Sequence, residues 1–170
     1  MREVLIVDGY NIIGDWPELR DLKHERLEMA RDKLIDDLKE YKAFTGREVI
    51  VVFDAHLASG GQTEEVVAGI KVLYSSHEET ADELIERLVY EFLREKVRMH
   101  IYVATGDYVE QQVTFGVGAL RITGRELRTD VKNAKRQIRE KVEKINHARN
   151  VIDDHLSPQV REMFEKWRRG

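Results

Sequence analysis

The sequence contains no cysteine. That removes any disulfide framework, any thiolate metal site and any thiol nucleophile. No apolar run comes near the roughly 18 residues of a membrane span, and the N-terminus enters a strand-like run directly, so the chain is expected to be cytoplasmic. Proline occurs only twice, at Pro17 and Pro158. Several catalytic signatures are missing as well. There is no Walker-type phosphate loop, no complete Rossmann glycine fingerprint and no His-Glu-x-x-His spacing among the six histidines. A haloacid-dehalogenase-type phosphatase would need a second Asp two residues after the first, and that position is Tyr10. No Ser/His/Asp arrangement suggests itself. Ser75 and Ser76 read as capping residues, and His56 and His77 read as surface or packing residues.

What remains is a charged chain of 170 residues, with 42% hydrophobic and 35% charged residues, sized for one domain with a real core. Its net charge of -4 is unevenly spread. Residues 1–120 hold 14 Lys and Arg against 24 Asp and Glu, whereas residues 121–150 hold 10 against 4. A basic segment on an acidic body suits a face that meets a polyanion, although a solvated helix face has the same composition.

Four short apolar runs read as buried strands: Val4–Val7, Val49–Phe53, Ile70–Tyr74 and His100–Ala104. A brief fifth covers Ala119–Ile122. Helical spacing lies between them. Residues 24–44 carry Leu27, Ala30, Leu34, Leu38 and Tyr41, with Gly46 as the stop. A helix opened by a Ser76/Glu79 capping box carries Ala81, Leu84, Ile85, Leu88 and Val89. A short helix is expected from Val109, and Ala55–Thr63 reads as a loop. Thr123 and Glu126 box the start of a long basic helix with Leu127, Val131, Ala134, Ile138, Val142 and Ile145 inside. Ser157-Pro158 begins a last helix. Strands alternating with helices predict an α/β fold, a three-layer α/β/α arrangement round a central, mainly parallel sheet. The expected organisation is a single domain over 1–170, with 121–170 packed on its core.

Three acids follow strands at one sheet edge: Asp8, Asp54 and Asp107. Asp82 lies in the first turn of the helix after the third strand. In an open parallel sheet this edge is where ligands bind. Carboxylates converging there would need a cation between them, and all-oxygen donors select Mg²⁺ or Mn²⁺ over zinc. Each acid also has a plain structural role open to it. Asp8 and Asp107 can cap helices, Asp54 can close an Asx turn, Asp82 can face a helix dipole, and Asn11 can bond the first turn.

Val7-Asp8-Gly9-Tyr10-Asn11, Glu79-Thr80-Ala81-Asp82 and Ala104-Thr105-Gly106-Asp107-Tyr108 with Gln111 resemble the NYN branch of the PIN-like nucleases. The likeness is to the YacP-like group of bacterial NYN proteins, which Gly118–Leu127 also resembles, and it spans nearly the whole chain. The resemblance implies a metal-dependent endoribonuclease acting on single-stranded mRNA, with the ribosome as a partner. Asp8 and Asp82 match the family's core acids, Asp107 the acid after the fourth strand, and Asn11 the polar residue beside the first. One departure stands out: Gly106 occupies a position where the family often has Ser. On this reading Asp8, Asp82 and Asp107 hold one or two Mg²⁺ or Mn²⁺ ions with Asp54 as an outer ligand. Arg121, Arg125, Lys132, Lys135 and Arg136 are expected to contact the RNA backbone, and Tyr10 and Tyr108 are candidates for base stacking. The alternative is a non-catalytic RNA- or ribosome-binding module with the same fold.

Overall fold

A computed structural model describes residues 1–55, 64–107, 112 and 118–170. Six strands form one sheet: β1 (Arg2–Asp8), β2 (Glu48–Phe53), β3 (Glu64–Val67), β4 (Ile70–Tyr74), β5 (Met99–Ala104) and β6 (Leu120–Ile122). Their order across the sheet is β3-β4-β2-β1-β5-β6. All pairs are parallel except β3 with β4. The chain builds outward from β1 on one side through β2 and β4, then crosses to the other side for β5 and β6. The switch of direction therefore lies between β1 and β5, and the crevice it opens is at their carboxyl ends.

Among the described residues the helices are α1 (Gly9–Asp15), α2 (Pro17–Glu25), α3 (Leu27–Thr45), α4 (Ala81–Arg94), α5 (Gly124–His155) and α6 (Pro158–Arg169). Alternation along the central strands feeds two cores. Leu5 and Val7 point to one side, packing with Ile12, Trp16, Leu34, Leu38, Leu127 and Val131. Val4 and Ile6 point to the other, against Leu84, Ile85, Leu88 and Val89 of α4. Helices thus cover both faces, and the α/β fold stands as expected.

Residues Met1–Ala134 and Lys135–Gly170 form two compact units. The first holds the sheet, α1–α4 and the opening of α5. The second holds the rest of α5 and all of α6. The expected buried stripe of α5 ends early: Leu127, Val131 and Ala134 are buried, whereas Val142 and Ile145 are about half exposed.

Several local expectations need correcting. Residues 9–25, for which no helix was expected, form α1 and α2, and the chain breaks between them at Trp16. Pro17 occupies the first turn of α2, where its missing N–H costs nothing. Trp16 joins the two helices, 1% exposed, and its Nε1 donates to the carbonyl of Gly124 (2.8 Å). The Ser76/Glu79 pair opens no helix; α4 starts at Ala81, capped by Thr80, whose side chain accepts from Glu83 N (3.2 Å). The Thr123/Glu126 box does form, with Thr123 N bonded to Glu126 Oε2 (2.8 Å) and Glu126 N to Thr123 Oγ1 (3.1 Å). A β3–β4 hairpin, turning at Ala68 and Gly69 with positive φ at both, adds one unexpected antiparallel pair to the mainly parallel sheet. The helix expected from Val109 and most of the Ala55–Thr63 loop lie outside the described residues.

Candidate active site

Asp8 closes β1 and stands at the N-terminus of α1, yet its side chain makes no capping bond to that helix. It is 7% exposed. The parallel register sets Val7 opposite Ala104, so the next residues on each strand, Asp8 and Thr105, meet at the switch point. The fully buried Thr105 hydroxyl donates to Asp8 Oδ2 (3.3 Å) and accepts from the Asp107 backbone N–H (3.1 Å). One hydroxyl therefore orients the Asp8 carboxylate and fixes the start of the segment that carries Asp107.

Asn11, one turn into α1, adds a second tie. Its Oδ1 accepts from the Gly106 backbone N–H (2.5 Å). Because the partner is a backbone donor, the atom facing it must be the amide oxygen, which leaves Nδ2 as the group with donors to spare. Glycine at 106 has a steric reason here: a Cβ would sit 3.0 Å from that same Oδ1.

Gly9 meets the next constraint. It is buried, and a methyl added there would overlap the ring of Phe53 at the end of β2. Gly9→Ala must displace either that ring or the turn holding Asp8. We expect a loss of about 2 kcal/mol, seen as a fall in melting temperature of roughly 5 °C.

The remaining acids are distributed along the same edge. Asp54 follows β2, where Ser75 N donates to Phe53 O (2.9 Å) and Ala55 N to Ser75 Oγ (3.1 Å), locking the ends of β2 and β4 together. Asp82 is exposed in the first turn of α4, the helix that leaves this edge. His77 is exposed in the turn before α4. Among the described residues no three His, Asp or Glu side chains are gathered closely enough to hold a metal ion. The structure thus joins Asp8, Asn11, Thr105, Gly106 and Asp107 into one network, and it does not bring Asp8, Asp82 and Asp107 into a three-carboxylate cluster. The side chains of that network offer hard oxygens, with the Asp8 carboxylate at its centre and Asp107 tied in through its backbone N–H. This fits a Mg²⁺-type ion, which takes one or two carboxylates and completes its shell with water and substrate phosphate.

Of the expected RNA contacts, Arg121, Arg125 and Lys132 are exposed in the first unit. Arg121 and Arg125 line one shallow groove with Glu126 and Asp130. Lys135 and Arg136 belong to the second unit, and Arg136 lies 4.0 Å from Glu140. Arg128, in the same basic stretch, is a structural clamp, with Nε and Nη2 bonded to the carboxylate of Glu18 (3.0–3.1 Å). Burial pushes the Glu18 carboxyl up, but Arg128 outweighs it and holds the group below its ordinary value. Tyr10 is half-buried against Phe53 (ring centroids 4.8 Å), and Tyr108 lies outside the described residues.

A residue that the sequence did not single out is Arg31 of α3. Its side chain is 15% exposed, and Nη1 donates to the Tyr10 hydroxyl (3.1 Å). Leu27, Arg31 and Leu34 share one helical stripe, which was the available signal.

A family model described as the YacP-like NYN domain matches residues 5–169. The chain belongs to the YacP-like NYN domain family. YacP of Bacillus subtilis (strain 168) is 45% identical over 168 residues, spanning 99% of this chain and 98% of that protein. The crystal structure of Rae1 (YacP) from Bacillus subtilis is 46% identical and superposes with a TM-score of 0.76, covering 98% of this chain and 95% of that one. A mutant of the same protein gives 39% identity and a TM-score of 0.73, covering 96% and 98%. Membership of this PIN-like NYN family supports a nuclease-type function. No helix among the described residues is long and apolar enough to cross a membrane.

Proposed function

We propose that this YacP-like NYN protein is a cytoplasmic endoribonuclease that cuts single-stranded mRNA on the translating ribosome, using Mg²⁺ or Mn²⁺. The observation that carries the reading is the buried Asp8 carboxylate at the sheet's switch point, linked through Thr105 to Asp107. A carboxylate held out of water is costly to keep, and such groups concentrate where chemistry needs them.

In the proposed reaction a water oxygen attacks phosphorus in line with the 3′-oxygen. The P–O3′ bond breaks, the water proton passes to the departing oxygen, and the products carry a 5′-phosphate and a 3′-hydroxyl. A bound divalent ion would lower the pKa of water and neutralise charge on the phosphate. Asp8 and Asp107 would hold it, with Asp82 and Asp54 as further acids of the same edge. Thr105 keeps the Asp8 carboxylate in one orientation. Asn11 pins the segment between Thr105 and Asp107 and presents Nδ2 to a phosphate oxygen. Arg121, Arg125, Lys132, Lys135 and Arg136 would contact the backbone by charge, a term independent of sequence.

A non-catalytic RNA- or ribosome-binding module is the second reading, favoured by the lack of a three-carboxylate group among the described residues. Metal removal separates the two. On mRNA carried by translating ribosomes, cleavage should stop on chelation and return when Mg²⁺ or Mn²⁺ is added back. Cleavage that persists in chelator would contradict the metal, and no cleavage under any metal condition would leave the binding module.

A further inference from the structure

Arg31 is a largely buried cation with a single side-chain hydrogen bond and one distant ion pair among the described residues. It sits in the second turn of α3, the helix that starts at the carboxyl edge of the sheet and returns the chain to the foot of β2. One of its five N–H donors is used by the Tyr10 hydroxyl. Its one ion-pair partner among the described residues is Glu28, at 4.0 Å and with that side chain 72% exposed. The Tyr74 phenol does not supply negative charge. Burial first, and then the neighbouring Glu65, push the Tyr74 hydroxyl up to about 12, and its proton is donated to Glu65 (3.1 Å). Segment 56–63, next in sequence to this edge, carries no acidic residue, and Glu110 is the only acid in 108–117.

The position of this guanidinium is fixed by aromatic packing. The Tyr10 ring packs on Phe53 (4.8 Å), and Phe53 on Tyr74 (5.9 Å), so rings from the start of α1 and the ends of β2 and β4 pack in a row whose middle member, Phe53, is fully buried. Arg31 is bonded to the first of them, and Tyr10 is two residues from Asp8. A half-buried, pre-oriented arginine with donors to spare is the group that proteins use to grip a phosphate through a planar fork.

Building on the nuclease reading, we infer that Arg31 is a phosphate-binding residue of the site, taking a phosphodiester of single-stranded RNA at the carboxyl edge of the sheet. The competing role is structural: Arg31 only holds the Tyr10 hydroxyl. The two differ in what salt does. Losing one phosphate contact on a single strand lowers the slope of log affinity against log salt by about 0.7, whereas losing an internal hydrogen bond leaves that slope alone.

The test is binding of a labelled single-stranded RNA oligonucleotide to the full chain, without divalent metal, over a series of salt concentrations. Arg31→Met removes the charge while keeping the packing length and should weaken binding roughly tenfold at low salt, with the slope reduced by about 0.7. Arg31→Lys should keep the slope and lose part of the affinity, because it keeps the charge and loses the fork. Tyr10→Phe removes only the hydrogen bond and should keep the wild-type slope. Melting curves of all three identify any that do not fold, and Arg31→Lys still reads out if Arg31→Met fails. An unchanged slope in Arg31→Met, or the same loss in Tyr10→Phe, overturns the inference while leaving the nuclease reading intact. Wild-type protein that binds no RNA overturns both.

Discussion

Asp8→Asn should lower RNA cleavage by about a hundred- to a thousandfold, the scale on which a single electrostatic group at a reacting centre acts. The substitution is nearly isosteric, and an amide oxygen can still accept from the Thr105 hydroxyl that now bonds Asp8 Oδ2. The fold is therefore expected to survive. Removing a charge that is 7% exposed also removes a desolvation cost, so the melting temperature should stay level or rise. Lost activity with kept or gained stability is the signature of a group retained for chemistry rather than for packing. A fall in both would assign Asp8 a structural role. Rates on RNA and melting curves on the same preparations give the answer.

Trp16→Ala should be the most damaging single change to the fold. The indole is 1% exposed, fills the space between α1, α2 and the sheet, and donates to the Gly124 carbonyl at the start of α5. Cutting it to a methyl loses the buried area, leaves a cavity and strips a carbonyl of its donor, for about 3–5 kcal/mol. For a chain of this length that corresponds to a fall of roughly 10 °C or more in melting temperature. Trp16→Phe separates the two contributions, since it keeps most of the volume and loses only the bond, at about 1–3 kcal/mol. Equal loss in the two variants would place the whole effect in the hydrogen bond.

Trp16 also shows where the sequence was hard to read. Pro17 looks like a breaker but is placed at a helix start, and Gly9 is there because the Phe53 ring occupies its Cβ space. Tertiary contacts, not local propensity, decide that stretch. The central strands were legible because both faces are buried, so Val4–Val7 and Val49–Phe53 appear as continuous apolar runs. β3 was not, because Glu64-Glu65-Val66-Val67 is a largely exposed edge strand, and its turn uses Ala68-Gly69 rather than Asn-Gly. At residues 76–82 two caps competed and Thr80 won, leaving Ser76 and Glu79 in a turn.

The site was legible as an edge and not as a network. Strand ends alone place Asp8, Asp54 and Asp107 at the carboxyl side of the sheet. The bonds that decide geometry, from Gly106 to Asn11 and from Thr105 to Asp8, join residues 95 and 97 positions apart, and no local pattern encodes them. Spacing likewise gave no warning that Asp8, Asp82 and Asp107 fall short of a three-carboxylate group. Arg31 escaped notice because a cation within an apolar stripe reads as the stripe's edge.

Mapping RNA ends bears most directly on the central proposal, that the acids at the carboxyl edge cleave mRNA. Translating ribosomes incubated with wild-type protein should yield new 5′-phosphate ends within the mRNA. The Asp8→Asn/Asp82→Asn double variant, folded and still bound to RNA, should yield none. The same ends from both proteins would contradict the account.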